Sequence, residues 1–148
     1  MKASLSGRKL IVPLSYGGSR ESCKRIIEEG KKLIGKNNFI PLLDFLSLEE
    51  YNKIMLQAEY AIYGNWRQEA VGNVLVALYL GMKVFLSKRN PLVKIFEDIR
   101  LRIFILEKID NLSFSIPLSS EFKKHNSRII AERYSFSKME ENIKNLFT

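Results

Sequence analysis

Residues 65–86 read NWRQEAVGNVLVALYLGMKVFL. Its second half predicts an apolar helix that closes at Gly81 and an apolar strand over 82–86, the pattern of a buried α/β unit. The predicted helix spans about 67–80, and its first turns are polar. The polar positions are Asn65, Arg67, Gln68, Glu69, Gly72 and Asn73. A core helix that begins in this way needs an explanation beyond packing.

The rest of the chain repeats the same alternation of strand and helix. Short apolar runs predict further strands at 9–15, 38–43, 60–64 and 102–106. Helices are predicted from Ser19 to Gly35, from the Ser47–Glu50 capping box to about 58, from Asn90-Pro91, and in a tail divided near 134–137. The pattern predicts a Rossmann-like three-layer α/β/α sandwich around one parallel sheet of about five strands. We expect residues 1–148 to form a single domain.

Size and composition point to a globular protein of the cytoplasm. The chain has 148 residues, of which 46% are hydrophobic and 27% charged. No apolar run approaches the roughly 20 residues that span a bilayer, and the first residues do not form a signal peptide. A single cysteine, Cys23, excludes an internal disulfide and fits a reducing compartment.

The net charge of +8 favours an anionic partner, with a generally solvated basic surface as the alternative. Nucleic acid, phosphate groups and an acidic membrane all carry the required charge. No helix-turn-helix or zinc-finger pattern is found, and one histidine with one cysteine cannot form a structural zinc site. A specific nucleic-acid partner is therefore not predicted.

Ligands of open parallel sheets bind beyond the carboxyl ends of the strands. This rule directs attention to the loops at 15–19, 43–47, 64–67 and 87–91. The first loop, SYGGS, is either a phosphate cradle at a helix N-terminus or a plain turn. It matches neither the dinucleotide-binding G-x-G-x-x-G pattern nor the P-loop.

The polar start of the third predicted helix has two interpretations. Asn65 and Gln68 form an N-x-x-Q variant of the capping box, which is a structural explanation for both residues. Gly72 does not fit that explanation, because a glycine inside a helix costs about 1 kcal/mol relative to alanine. Its missing side chain permits close approach by a chain element or by a ligand. The arginine and the amides suit a nucleotide diphosphate.

No catalytic or metal centre is predicted from the residues. His125 lies in a basic segment and is expected to be solvated, and Cys23 lies on the apolar face of its helix as a core thiol. No D-x-D pattern indicates a divalent metal, and no cofactor is predicted. The catalytic residues are therefore not identified.

Three ordered motifs resemble the 4-acetamido-4,6-dideoxygalactosyl (Fuc4NAc) transferases. They are VPLSYGG from residue 12, RQEAVGN from residue 67 and LGMKVFLSKRNP from residue 80. The tail AERYSFSKMEENIKNLF is similar to the closing helix of many GT-B glycosyltransferases, and the resemblance covers roughly 9–147. It implies the C-terminal donor-binding domain of an inverting, metal-independent hexosyltransferase of bacterial surface polysaccharide synthesis, as for enterobacterial common antigen. We expect an N-terminal acceptor domain to be absent from this chain, which alone binds nucleotide and transfers little.

The resemblance also implies roles for particular residues. The donor is a dTDP-sugar, and the acceptor is a polyprenyl-diphosphate lipid bound through the N-terminal domain. The implied donor-binding residues are Tyr16, Gly17, Asn65, Arg67, Gln68, Gly72, Asn73 and Asn90, with the loop at 43–45 for the thymine. The basic surface is expected to make peripheral contact with the inner face of the anionic membrane. The alternatives are a non-catalytic nucleotide-binding module and a basic nucleic-acid-binding domain.

Overall fold

A computed structural model describes residues 7–16, 18–67, 69–110 and 112–146. In these residues, strands alternate with helices, as the sequence predicts. The strands are β1 (Leu10–Pro13), β2 (Phe39–Leu42), β3 (Tyr60–Tyr63), β4 (Lys83–Leu86) and β5 (Phe104–Ile105). The helices are α1 (Arg20–Ile34), α2 (Leu48–Gln57), α3 (Val71–Tyr79), α4 (Leu92–Asp98), α5 (Ser120–Tyr134) and α6 (Phe136–Leu146). A short 3-10 helix, Leu106–Lys108, follows β5.

All the strand pairs are parallel, which confirms the predicted α/β class and is consistent with a Rossmann-like fold. The prediction of one five-stranded sheet is wrong for the hydrogen bonding of the described residues. β1 pairs with β2, and β3, β4 and β5 form a separate sheet in that order. Hydrophobic periodicity identifies strands but does not specify their partners, which long-range contacts choose.

The described chain divides into two compact units. The first unit contains the residues up to Lys53 together with residues 112–115, and the second contains Ile54–Asp110 and the residues from Ile116 onward. The two-stranded sheet belongs to the first unit and the three-stranded sheet to the second.

Local sequence signals account for the helices of the first unit. The Ser19 side chain accepts a hydrogen bond from the Ser22 N–H and so caps α1, which ends at Gly35 with φ of 95°. Before α2, the Ser47 N–H donates to the Glu50 carboxylate at 2.9 Å, and the Glu50 N–H donates to Ser47 Oγ at 3.2 Å. These bonds confirm the predicted capping box. The Ser47 hydroxyl, which donates to Oε2 of Glu50 at 2.7 Å, lowers the pKa of Glu50, and the Ser47 N–H lowers it further.

Helix α1 packs on β2 through a glycine. A Cβ built on Gly30 would lie 2.2 Å from Cε2 of Phe39, so the ring fills the space that any side chain would need. Phe39 is buried as a result. The close approach of α1 to β2 at Gly30 explains why a glycine is present there.

The second unit forms its core around β4. Every residue of β4 is buried, including Lys83, whose Nζ donates to the Ile116 carbonyl at 2.9 Å. Helix α3 buries Val74, Ala77 and Leu78 against this core. Its opposite side is open, since Val76 and Tyr79 are 42% and 49% exposed. The prediction that α3 is buried all round is therefore wrong.

The C-terminal region is helical in two segments, as predicted, with the division at Ser135. Asn126 of α5 is fully buried and pairs with both backbone groups of Arg102. Its Oδ1 accepts from the Arg102 N–H at 2.8 Å, and its Nδ2 donates to the Arg102 carbonyl at 3.0 Å. This side chain connects α5 to the segment that leads into β5. Among the described helices, none is long and apolar enough to cross a membrane.

Candidate functional site

The carboxyl edge of the three-stranded sheet carries two loops that are joined by a buried amide. Residues 64–67 follow β3 and residues 87–90 follow β4, and parallel pairing brings both loops to one edge. Asn90 is 2% exposed, and its Nδ2 donates to the carbonyls of Asn65 at 3.2 Å and Arg67 at 3.4 Å. Its Oδ1 accepts from the Leu92 N–H at 2.9 Å at the start of α4. The amide of Asn90 is thus enclosed and bonded to the chain, and the predicted contact between Asn90 and a ligand stays a prediction.

A second connection joins the loop after β4 to the 3-10 helix after β5. The Lys88 N–H donates to Oε2 of Glu107 at 2.9 Å, and the Ser87 hydroxyl donates to Oε1 at 2.8 Å. These two hydrogen bonds hold the pKa of Glu107 below its ordinary value. The segments after β3, β4 and β5 are thus fixed to one another at the same edge.

Three exposed cations project from the loops that follow β3 and β4. They are Arg67, Lys88 and Arg89. The Arg89 guanidinium lies 4.3 Å from the centroid of the Trp66 indole, in a cation–π stack. Of these three residues, only Arg67 was predicted from the sequence as a donor contact. The signal for the others was the Lys-Arg pair at 88–89, separated by one residue from an apolar strand and inside the loop at 87–91.

The start of α3 differs from the predicted capping box. Its N-cap is Ala70, with φ of 55° and ψ of 29°, and not Asn65. Asn65 instead donates through Nδ2 to the Arg67 carbonyl at 2.8 Å and stabilises the turn that precedes the helix. The left-handed backbone at Ala70 prevents the helix from extending back toward Arg67. Gln68 lies outside the described residues.

Gly72 is therefore in the first turn of α3, where Asn73 is also exposed. Among the described residues outside the backbone of α3 and the chain neighbours of Gly72, a Cβ built on Gly72 would meet nothing within 4 Å, so packing there does not require the glycine. Gly72 lines an open groove of about 450 Å³ between α3 and α5. The other lining residues are Leu75, Val76, Tyr79, Ile130, Ala131, Tyr134 and Ser135. This lining is largely apolar, which suits a nonpolar group better than a diphosphate.

The first unit has its own cavity, of about 610 Å³, beside the start of α1. Arg20 and Lys24 line it together with Ser15 and the half-buried Cys23. Tyr16, predicted as a donor contact, is 87% exposed and approaches Phe45 edge-on at 6.5 Å between ring centroids. Gly17 lies outside the described residues. The assignment of thymine to the loop at 43–45 stays a prediction.

Other candidate residues have structural partners. His125 was expected to be solvated, but its Nε2 lies 2.7 Å from the Arg100 carbonyl. A carbonyl oxygen only accepts, so Nε2 carries the donated proton. Within the described residues, no group of three or more His, Cys, Asp or Glu side chains is arranged to hold a metal ion.

In comparisons with known proteins, no family model matches the chain, and no curated protein or solved structure is significantly similar to it.

Proposed function

We propose that the second unit binds the sugar-nucleotide donor of a glycosyltransferase. The main support is an arrangement of three exposed cations at the carboxyl edge of the sheet in this unit. Arg67, Lys88 and Arg89 lie there on two loops that Asn90 connects. Cations held by a rigid scaffold at this edge suit a diphosphate. The resemblance of the sequence motifs to Fuc4NAc transferases supports dTDP-4-acetamido-4,6-dideoxygalactose, or a closely similar dTDP-sugar, as the donor.

The chemistry follows from the charge on the leaving group. In an inverting transfer, an acceptor hydroxyl attacks the anomeric carbon while the bond from that carbon to the diphosphate breaks. The hydroxyl proton passes to a base, which we propose the acceptor domain provides. Negative charge develops on the departing diphosphate, and cations oriented in advance stabilise it without reorganisation. Arg67, Lys88 and Arg89 are the groups in this unit that we assign to that role. We propose that the acceptor is a polyprenyl-diphosphate lipid and that a further domain binds it.

Titration calorimetry with dTDP and UDP tests the proposal directly. We expect saturable binding of dTDP, and Arg67→Ala is expected to weaken it about tenfold, the value of one charge-assisted hydrogen bond. Arg133→Ala on the exposed surface of α5 is the matched control and is expected to bind like the wild type. Failure of the wild type to bind either nucleotide at millimolar concentration, with or without magnesium, would overturn the proposal.

We also propose that Gly72 and Asn73 contact the donor at the start of α3. Gly72→Ala separates this role from a structural one, because the added Cβ meets open space. If the donor approaches Gly72, the variant weakens dTDP binding while its melting temperature stays within a few degrees of the wild type. Unchanged binding would exclude Gly72 from the donor site. The contacts assigned to Tyr16 and Gly17 stay predictions.

A basic nucleic-acid-binding domain is the competing function, favoured by the net charge of +8. It predicts a steep loss of DNA or RNA affinity with increasing salt and no preference among nucleotides. A non-catalytic nucleotide-binding module would bind dTDP equally well. The two functions are distinguished by mixing the chain and the dTDP-sugar with a separately expressed acceptor domain and the lipid acceptor. Only a transferase then releases dTDP from the donor.

We also propose that the basic surface makes peripheral contact with an anionic membrane. Vesicles with and without phosphatidylglycerol provide the test. Co-sedimentation that requires the anionic lipid and decreases in high salt is expected. Equal behaviour with both vesicle types would contradict it.

A further inference from the structure

Trp66 and Arg89 form an exposed aromatic–guanidinium pair at the carboxyl edge of the three-stranded sheet. The guanidinium carbon lies 4.3 Å from the indole centroid, and Trp66 is 62% exposed. An aromatic residue of this size contributes most to stability when it is buried. Its exposure on a loop at the ligand-binding edge of a parallel sheet indicates a binding role.

The backbone on both sides of Trp66 is fixed. The carbonyls of Asn65 and Arg67 both accept hydrogen bonds from the buried Nδ2 of Asn90. The side chain of Asn65 adds a third bond, to the Arg67 carbonyl at 2.8 Å. The indole is therefore presented by a rigid turn, so little conformational entropy is lost when a ligand binds beside it.

Arg89 retains its hydrogen-bonding capacity. In the part of the chain that the structure describes, its guanidinium has no carboxylate partner, and its recorded contact is the stack on Trp66. Stacking occupies the face of the guanidinium and leaves the N–H groups in its plane available to oxygen acceptors. Because the ring also restricts the rotamers of Arg89, these donors are oriented before a ligand arrives.

We propose that the Trp66–Arg89 pair is a phosphate-binding element. Arg89 donates to the phosphate oxygens of a nucleoside diphosphate, and Trp66 is the positioning residue that orients its guanidinium. Arg67 and Lys88 on the same two loops add positive charge. This inference deepens the proposed function and rests on it, since it names the group that binds the donor's diphosphate.

Trp66 is the only tryptophan of the chain, so its fluorescence reports on the pair directly. We expect dTDP to change the emission in a saturable way and inorganic pyrophosphate to do the same at higher concentration. Thymidine, which lacks phosphate, is expected to leave the emission unchanged. A response to thymidine equal to that of dTDP would overturn phosphate binding by the pair.

Variants of Arg89 and Trp66 separate the effect of the positive charge on dTDP binding from the effect of the guanidinium orientation. Arg89→Lys keeps the charge but loses the planar fork, and we expect it to weaken dTDP binding about tenfold. Arg133→Lys is the matched control and is expected to change nothing. By calorimetry, Trp66→Ala is expected to weaken dTDP binding and Trp66→Phe to restore part of it, with melting temperatures close to the wild type.

These measurements distinguish the role of the Trp66–Arg89 pair from the donor-binding function proposed for the unit. If the wild type binds dTDP but Arg89→Lys and Trp66→Ala bind it equally well, the role of the pair is wrong and the donor-binding function stands. If the wild type binds neither dTDP nor UDP, both are overturned.

Discussion

The side chain of Asn90 donates a hydrogen bond to the Asn65 carbonyl at 3.2 Å, and so connects the loop after β4 to the loop after β3. Asn90 is 2% exposed, so the bond is shielded from water. The exposed residues of the candidate site, Trp66 and Arg89 among them, belong to the loops that this bond joins. A buried polar side chain thus determines how the surface residues are presented.

Replacing Asn90 tests this connection. Asn90→Ala removes the donor to Asn65 and leaves the Leu92 N–H without its acceptor, which is expected to lower the free energy of unfolding by about 1–3 kcal/mol. Asn90→Asp keeps the acceptor for Leu92 but sets a carboxylate oxygen against the carbonyls of Asn65 and Arg67, so it is expected to destabilise the chain at least as much at neutral pH. Urea denaturation provides the measurement. Equal stability of both variants and the wild type would contradict the structural role.

The two bonds between Asn126 and Arg102 predict a large effect in α5. Asn126→Ala leaves the N–H and the carbonyl of Arg102 unpaired beside a fully buried position, and we expect a loss of about 2 kcal/mol or more. Asn52→Ala, on an exposed position of α2, is the control and should stay within about 0.5 kcal/mol. A similar small effect of both substitutions on the urea midpoint would refute the prediction.

Gly30 and Gly72 form a matched pair of helical glycines. Gly30→Ala places a Cβ 2.2 Å from Phe39 Cε2 and is expected to destabilise the chain by about 1–3 kcal/mol. Gly72→Ala meets open space and is expected to be neutral or stabilising by up to about 1 kcal/mol. In a Phe39→Leu background, the cost of Gly30→Ala should shrink, because the ring that blocks the Cβ is gone. A full cost in that background would exclude Phe39 as the cause.

The lowered pKa of Lys83 leads us to expect that the stability of the chain depends on alkaline pH. Burial lowers the pKa of Lys83 in the folded chain, and the charge of Asp110 opposes this only in part. Just below the ordinary lysine value of 10.5, the unfolded chain therefore binds more protons than the folded chain, and this group's contribution to stability rises with pH. The free energy of unfolding of the wild type minus that of Lys83→Met is expected to increase from neutral pH toward 10.5. A constant or decreasing difference would disprove it.

The lowered pKa of Glu107 leads us to expect that the stability of the chain depends on acidic pH. Hydrogen bonds from the Lys88 N–H and the Ser87 hydroxyl lower its pKa, so its stabilising effect is present above the ordinary value of 4.5 and is lost as the pH falls through the lowered folded value. Glu107→Gln should remove this part of the acid dependence, which thermal unfolding between neutral and acidic pH measures. An unchanged acid profile in the variant would show that other groups cause it.

The elements that local signals specify were predicted well. The Ser47–Glu50 capping box and the end of α1 at Gly35 depend on residues within one turn, and both are found. The start of α3 was predicted too early, because Ala70 is a strong helix former and nothing in its neighbours indicates its left-handed backbone.

The candidate site was predicted only in part. Arg67 was identified from its place after a strand, whereas Trp66 and Arg89 were not, since residues 23 positions apart form a stack only after β3 and β4 pair. Asn90 was also identified, but its hydrogen bonds to the chain were not predicted. Its residue type indicates a hydrogen-bonding group and does not reveal whether water, a ligand or the chain is the partner.

By itself, the sequence determined the alternation of strands and helices, most of their boundaries and the strong positive charge, because these follow from periodicity, caps and composition. The tertiary structure decided which strands pair, that Asn90 is buried, and that Trp66 stacks on Arg89. The two groups of features differ in the distance along the sequence between the residues that interact. A helix cap or a hydrophobic face involves residues that are close together in the chain. A strand pairing or a stacked guanidinium depends on packing between distant segments, which no local pattern encodes.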